Sequence, residues 1–143
     1  MNDKQATNPE SAQDSAGKWE VQLRKGSLEL AILAALWGGR LYGLEILRRL
    51  ESGSDLVVAE GTVYPLLTRL RTLGLVESVW VESDSGHPRK YYSLTAAGRE
   101  RALEMGRTWA RFAASMDQLV TPLNGAVNAP KSSAVKRRIH ESE

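Results

Sequence analysis

The stretch EGTVYPLLTRLRTLGLVES, residues 60–78, constrains the fold more than any other segment of the chain. Val63, Leu66, Leu67, Leu70 and Leu73 recur at helical spacing and supply one buried stripe. Gly74 closes the helix, and a strand follows. The opposite face is unusual. Gly61, Thr62, Tyr64, Pro65, Thr68, Arg69 and Thr72 are small, hydroxylic, aromatic or basic, and between Gly61 and Val76 the only charges are Arg69 and Arg71. A helix that merely covers a core has no reason to keep its outer side slim and free of acids. Pro65 lacks an N–H and is tolerated best within a first turn, which predicts a helix start near Gly61 or Thr62.

Composition removes several classes of function. With 143 residues, 42% of them hydrophobic, the chain is one domain's worth and has enough apolar material for a core. It has no cysteine, so disulfides, thiolate nucleophiles and cysteine-bound zinc are excluded, and a reducing compartment fits. The two histidines, His87 and His140, are too far apart in sequence to read as a ligand cluster, and no metal or other cofactor is expected. No serine has a suggested histidine and carboxylate, so an enzyme is not expected either. The longest apolar run, residues 30–37, is too short to cross a bilayer, and the N-terminus lacks the build of a signal peptide. A cytoplasmic protein is expected.

A net charge of +2 says little about partners, so the argument rests on where the charges lie. In SGHPRKYY, residues 85–92, the charged groups are Arg89 and Lys90, with His87 beside them. The acids of this part of the chain, Glu45, Glu51, Glu77, Glu82 and Asp84, fall elsewhere. Two separate acid-free basic spots result. His87, before a proline in a turn, is as well read as a loop histidine, and Arg71 as a solvated arginine.

Residues 1–17 are polar, contain Pro9 and Gly17, and predict an arm without fixed structure. Residues 18–25 form a helical lead-in. SLELAILAALWGG predicts a helix with Ser27 as N-cap and Gly38-Gly39 as the stop. LYGLEILRRLESGS predicts a second helix, with Ile46, Leu47 and Leu50 inward and Gly53 ending it. DLVVAE suffices only for a minimal strand. After the third helix, residues 75–95 read as a hairpin turning at SDSGHP. Thr95 caps a long last helix that Pro122 ends. The domain reading is therefore an arm (1–17), a winged helix-turn-helix domain (18–95), a dimerisation helix (96–121) and a flexible basic tail (122–143) carrying Lys136, Arg137 and Arg138. The fold class is mainly α with a small β-hairpin.

In that architecture the third helix enters the DNA major groove and the hairpin lies along the backbone beside it. A groove-entering face must be slim and must keep carboxylates away from phosphates. Gly61 and Pro65 keep the first turn low; Thr62, Tyr64 and Thr68 are potential donors, and Arg69 reaches phosphates or base edges.

Together, KGSLELAIL, LYGLEIL, EGTVYPLLTRLRTLGLVES and SGHPRKYYSLTAAG resemble the PadR family of bacterial transcriptional regulators over residues 25–120. With its single C-terminal helix, the chain looks like the short subfamily. The resemblance implies DNA contacts by Thr62, Tyr64 and Arg69, close approach of Pro65 to the groove wall, and wing contacts by Arg89 and Lys90. Lys25 and Tyr42, at the ends of the first two helices, would be backbone contacts; Lys25 is otherwise the end of the lead-in, and Tyr64 a partly buried aromatic.

In the last helix Ala102, Met105, Trp109, Phe112, Met116 and Leu119 follow steps of three and four, with Leu123 in register. A helix of about 25 residues, roughly 38 Å long, exceeds what so small a domain covers alone. The seam either folds back on the first helix or pairs with a second subunit, and a homodimer is favoured. The resemblance adds that, in some short members, a tryptophan in this part of the helix lines a pore at the dimer interface and stacks on flat aromatic effectors. Trp109, with Phe112 nearby, would take that role here; plain packing is the alternative. The expected function is a dimeric repressor bound to double-stranded DNA at an inverted repeat, with release by a small aromatic effector left open. A winged-helix protein-interaction module and a constitutive repressor are the alternatives.

Overall fold

A computed structural model describes residues 9–52, 56 and 58–127. Four helices and three strands follow in order: α1 (Pro9–Ala35), β1 (Leu41–Tyr42), α2 (Gly43–Glu51), α3 (Glu60–Thr72), β2 (Val76–Val81), β3 (Arg89–Leu94) and α4 (Ala96–Val127). The strands form one antiparallel sheet in the order β1-β3-β2. This is the winged helix-turn-helix order that the sequence predicts. The chain divides into two units, Met1–Met105 and Gly106–Glu143.

The first unit holds the core. Ile32 and Leu33 of α1, Ile46 and Leu47 of α2, and Val63, Leu67 and Leu70 of α3 are buried together with Val76 and Tyr92 of the sheet. The helical period of each segment delivers these residues to one side. Leu73, expected in the stripe, is exposed: the chain leaves the helix there, Gly74 adopts φ 74°, and Leu75 packs against the core in its place. Gly98 is buried against the Leu75 carbonyl, in a space that a Cβ would fill. Thr95 fastens the same corner: its N–H donates to Leu75 O, its hydroxyl donates to Gly74 O at 2.6 Å and accepts from Gly98 N–H at 3.0 Å. That is the cap expected for the last helix. Two side-chain pairs join α1 and the turn after it to the first turns of α4: the Arg99 guanidinium lies 4.2 Å from the centre of the Trp37 ring, in that turn, and Arg101 pairs with Glu29 of α1 at 3.9 Å.

Six sequence expectations need correction. The arm is not unstructured as far as residue 17: α1 is one helix from Pro9, and residues 1–8 lie outside the described residues. Proline at the first helical position forfeits no hydrogen bond, and the i,i+4 pairs Asp14–Lys18 and Glu20–Arg24 support the helix across Gly17. Ser27 is accordingly no N-cap but an interior residue whose hydroxyl donates to Leu23 O. A strand at residues 41–42, not foreseen, pairs Leu41 with Tyr92 and Tyr42 with Tyr91. Leu56, Val58 and Ala59 belong to no strand, and Gly53 lies outside the described residues. Helix α3 starts at Glu60, so Pro65 is interior and deprives only the Gly61 carbonyl of a partner, on an exposed turn. Finally, α4 passes Pro122 and ends at Val127; the forgone bond is at the carbonyl of Gln118, an exposed residue, where a missing helical partner costs least. The basic residues 136–138 lie outside the described residues.

Candidate nucleic-acid interface

Gly61, Thr62, Tyr64, Pro65, Thr68 and Arg69 are all exposed on α3. The first turn is held by bonds from Thr62 and Val63 N–H to Ala59 O. Thr68 and Thr72 donate their hydroxyl protons back to the carbonyls of Tyr64 and Thr68, at 3.2 and 3.0 Å. They present lone pairs outward and must rotate to donate to an anion. Arg69 has no carboxylate within ion-pair distance among the described residues, so its five N–H donors are free for a partner. Arg71 reaches instead towards the sheet, donating from Nη1 to Ser78 Oγ at 3.4 Å. Lys25 is exposed on α1 and lines a hollow with Leu28, Val58, Ala59 and Thr62, which brings it beside the start of α3.

Tyr64 is 38% exposed. Its ring lies on the backbone of Gly43, the first residue of α2, and so joins the helix-turn-helix pair at its outer edge. Tyr42, just before α2, has its N–H bonded to the Glu45 carboxylate at 3.2 Å. Tyr92 lies buried behind these groups. Burial raises its phenol above the usual value of 10.0, nearby Tyr64 raises it further, and Arg71 opposes both.

In the wing, strand alternation separates residues that are adjacent in sequence. The cross-strand pairs Ser78–Tyr92 and Trp80–Lys90 share the face that holds Arg71, whereas Val79–Tyr91 and Val81–Arg89 share the other. The basic spot Arg89-Lys90 is therefore two spots. Lys90 Nζ lies 5.8 Å from the ring centres of both Trp80 and Tyr92. Arg89 stacks 4.6 Å over Tyr42, which meets Tyr91 edge-on at 5.7 Å, and Arg40 stacks 4.8 Å over Tyr91. Trp80 is 65% exposed. Arg40, Gly43 and Trp80 were not legible as site residues: Trp80 reads as one member of an alternating strand, and the partners of the other two lie far along the chain.

The apolar seam of α4 divides. Ala102 and Met105, expected to face a second subunit, belong to the core of the first unit, where Ala102 is buried and Met105 packs against it. In the second unit Trp109, Phe112, Met116 and Leu119 are exposed, Phe112 at 56% and Leu119 at 73%. The Trp109 and Phe112 rings lie 6.4 Å apart, tilted by 42°. Among the described residues no group of acids and histidines is arranged to hold a metal ion, and no helix is long and apolar enough to cross a membrane.

Comparison with known proteins gives the fold a relationship. The family model described as the transcriptional regulator PadR-like family matches residues 32–104. A PadR-like transcription factor from Bacteroides fragilis is 38% identical, with 71% of this chain and 98% of that chain covered and a TM-score of 0.59. A PadR-like regulator from Bacillus cereus is 33% identical over 69% of this chain and 96% of its own, with a TM-score of 0.64. For a PadR family regulator from Eggerthella lenta the values are 28%, 77%, 96% and 0.68. The matched segment runs from α1 through the helix-turn-helix pair and the wing into α4, and lies within the 25–120 span of the sequence resemblance. The chain belongs to the PadR-like family of DNA-binding transcriptional regulators.

Proposed function

We propose that the chain is a homodimeric repressor that binds an inverted-repeat operator with α3 in the major groove and the wing beside it. The observation that carries this reading is the α3 face: exposed, free of acids beyond Glu60, and ending in Arg69, which has no ion-pair partner among the described residues. Thr62, Tyr64 and Arg69 are the proposed groove contacts, Gly61 and Pro65 allow close approach, and Thr68 follows once its hydroxyl turns. Lys25, Tyr42, Arg89 and Lys90 are the proposed backbone contacts. Trp109, Phe112, Met116 and Leu119 are the proposed dimer contacts, because four large apolar groups at heptad spacing are exposed on one helix. A two-fold dimer sets its recognition helices about 34 Å apart, which requires half-sites about 10 base pairs apart, centre to centre.

Selection of genomic fragments on the immobilised protein, followed by stoichiometry on a recovered duplex, tests this reading. It requires recovered sites with two-fold symmetry at that spacing and two chains per duplex. Recovery of unrelated sequences, or one chain per duplex, contradicts it.

One observation favours regulation by a ligand. The Trp109 and Phe112 rings are exposed and tilted apart, which leaves aromatic faces open to a flat aromatic molecule. In this reading such a molecule binds between the subunits and releases DNA. Quenching of tryptophan emission by flat aromatic compounds, lost in Trp109→Phe, tests it. A constitutive repressor would show no such quenching and no change in DNA affinity.

A further inference from the structure

We infer that Arg40 is a DNA-backbone contact and forms, with Arg89, a two-guanidinium phosphate clamp on the outer face of the sheet. The inference rests on the DNA-binding reading above and adds a contact that neither the motifs nor the expected wing residues include. Arg40 follows Gly39, whose φ of 141° turns the chain out of α1. Its guanidinium lies 4.8 Å over the Tyr91 ring; Tyr91 meets Tyr42 edge-on at 5.7 Å; Arg89 lies 4.6 Å over Tyr42. The β1–β3 register, which pairs Tyr42 with Tyr91, holds the two rings side by side.

Each guanidinium carbon thus lies within cation–π distance of an aromatic ring, a contact that engages the charge and uses none of the N–H donors in a conventional hydrogen bond. Neither has a carboxylate within ion-pair distance among the described residues. Glu82 and Asp84 line the same hollow as Arg89 without pairing to it, and the Glu45 carboxylate is engaged by Tyr42 N–H. Two guanidiniums held on neighbouring rings, with no ion-pair partner among the described residues, suit phosphate oxygens, which accept in-plane N–H pairs. The site adjoins the start of α2, and in helix-turn-helix proteins the helix before the recognition helix crosses the DNA backbone.

The test is the salt dependence of binding to a short mixed-sequence duplex, since a phosphate contact operates on any sequence. Each phosphate neutralised contributes close to 0.9 to the slope of log K against log salt concentration. Arg40→Gln is expected to lower that slope by about 1 and to weaken binding by a similar factor on every duplex, with the thermal midpoint retained. Arg40→Lys, which keeps the charge, is expected to retain the slope. An unchanged slope in Arg40→Gln overturns the inference while leaving the DNA-binding reading intact. Failure of the unmodified protein to bind duplex at any salt concentration overturns both.

Discussion

Tyr64 lies so close to Gly43 that a Cβ on the glycine would stand 2.6 Å from both Cε1 and Oη of the ring. The recognition helix and the start of α2 are therefore set against each other by an aromatic ring on bare backbone. Only glycine leaves room for that ring. The atoms in the way are the far end of a side chain, so Gly43→Ala is expected to displace Tyr64 and to leave the fold intact. Operator affinity should fall while the thermal midpoint barely moves. Equal affinity in the variant would mean that the ring's position is irrelevant to binding.

The Gly98 position behaves differently, because the group against it is the Leu75 carbonyl and not a movable side chain. Gly98→Ala must push α4 away from the corner where Thr95 bonds to Gly74 and Leu75. Overpacking of this kind costs about 1–3 kcal/mol, or more where backbone must move. Chemical denaturation measures the loss, and a variant as stable as the unmodified protein would refute the packing described.

Tyr92 sets a pH limit. Its phenol is raised above 10.0, chiefly by burial, so the folded chain holds the proton more tightly than the unfolded chain does. The contribution of Tyr92 to stability is therefore level below about pH 10 and falls as pH rises past the unfolded value towards the folded one. Tyr92→Phe is expected to flatten this part of the profile. A decline above pH 10 equally steep in both proteins would assign it to other groups.

Trp109→Ala is expected to leave the helix content unchanged and to shift the monomer–dimer equilibrium towards monomer. Sedimentation velocity across a concentration series measures this. A dimer of unaltered strength would remove Trp109 from the interface, and Phe112, Met116 and Leu119 would then be the residues to vary.

The sequence discloses most of the architecture because helical period, glycine stops and the cap at Thr95 are local signals. Val63, Leu67 and Leu70 are buried as their spacing requires, and Gly74 adopts the positive φ that the helix stop implies. What it hides is set by distant or cumulative effects. Ser27 has the chemistry of a cap, but side-chain pairs upstream carry α1 through it. Leu41 and Tyr42 become a strand only because β3 offers an edge. Arg89 and Lys90 look like one basic spot until strand alternation sends them to opposite faces. Ala102 and Met105 continue the period of Trp109 and Phe112, yet the core absorbs the first pair and leaves the second exposed. Periodicity identifies a stripe; it does not identify what covers it.

The most direct test of the central claim is fluorescence anisotropy on an operator duplex, for the unmodified protein and Arg69→Ala, at several salt concentrations. Salt-sensitive binding by the unmodified protein is expected, and a loss of about 1–3 kcal/mol in Arg69→Ala if that arginine reads a base. Affinity that ignores both salt and Arg69 would contradict it, and the exposed face of α3 would then need another partner.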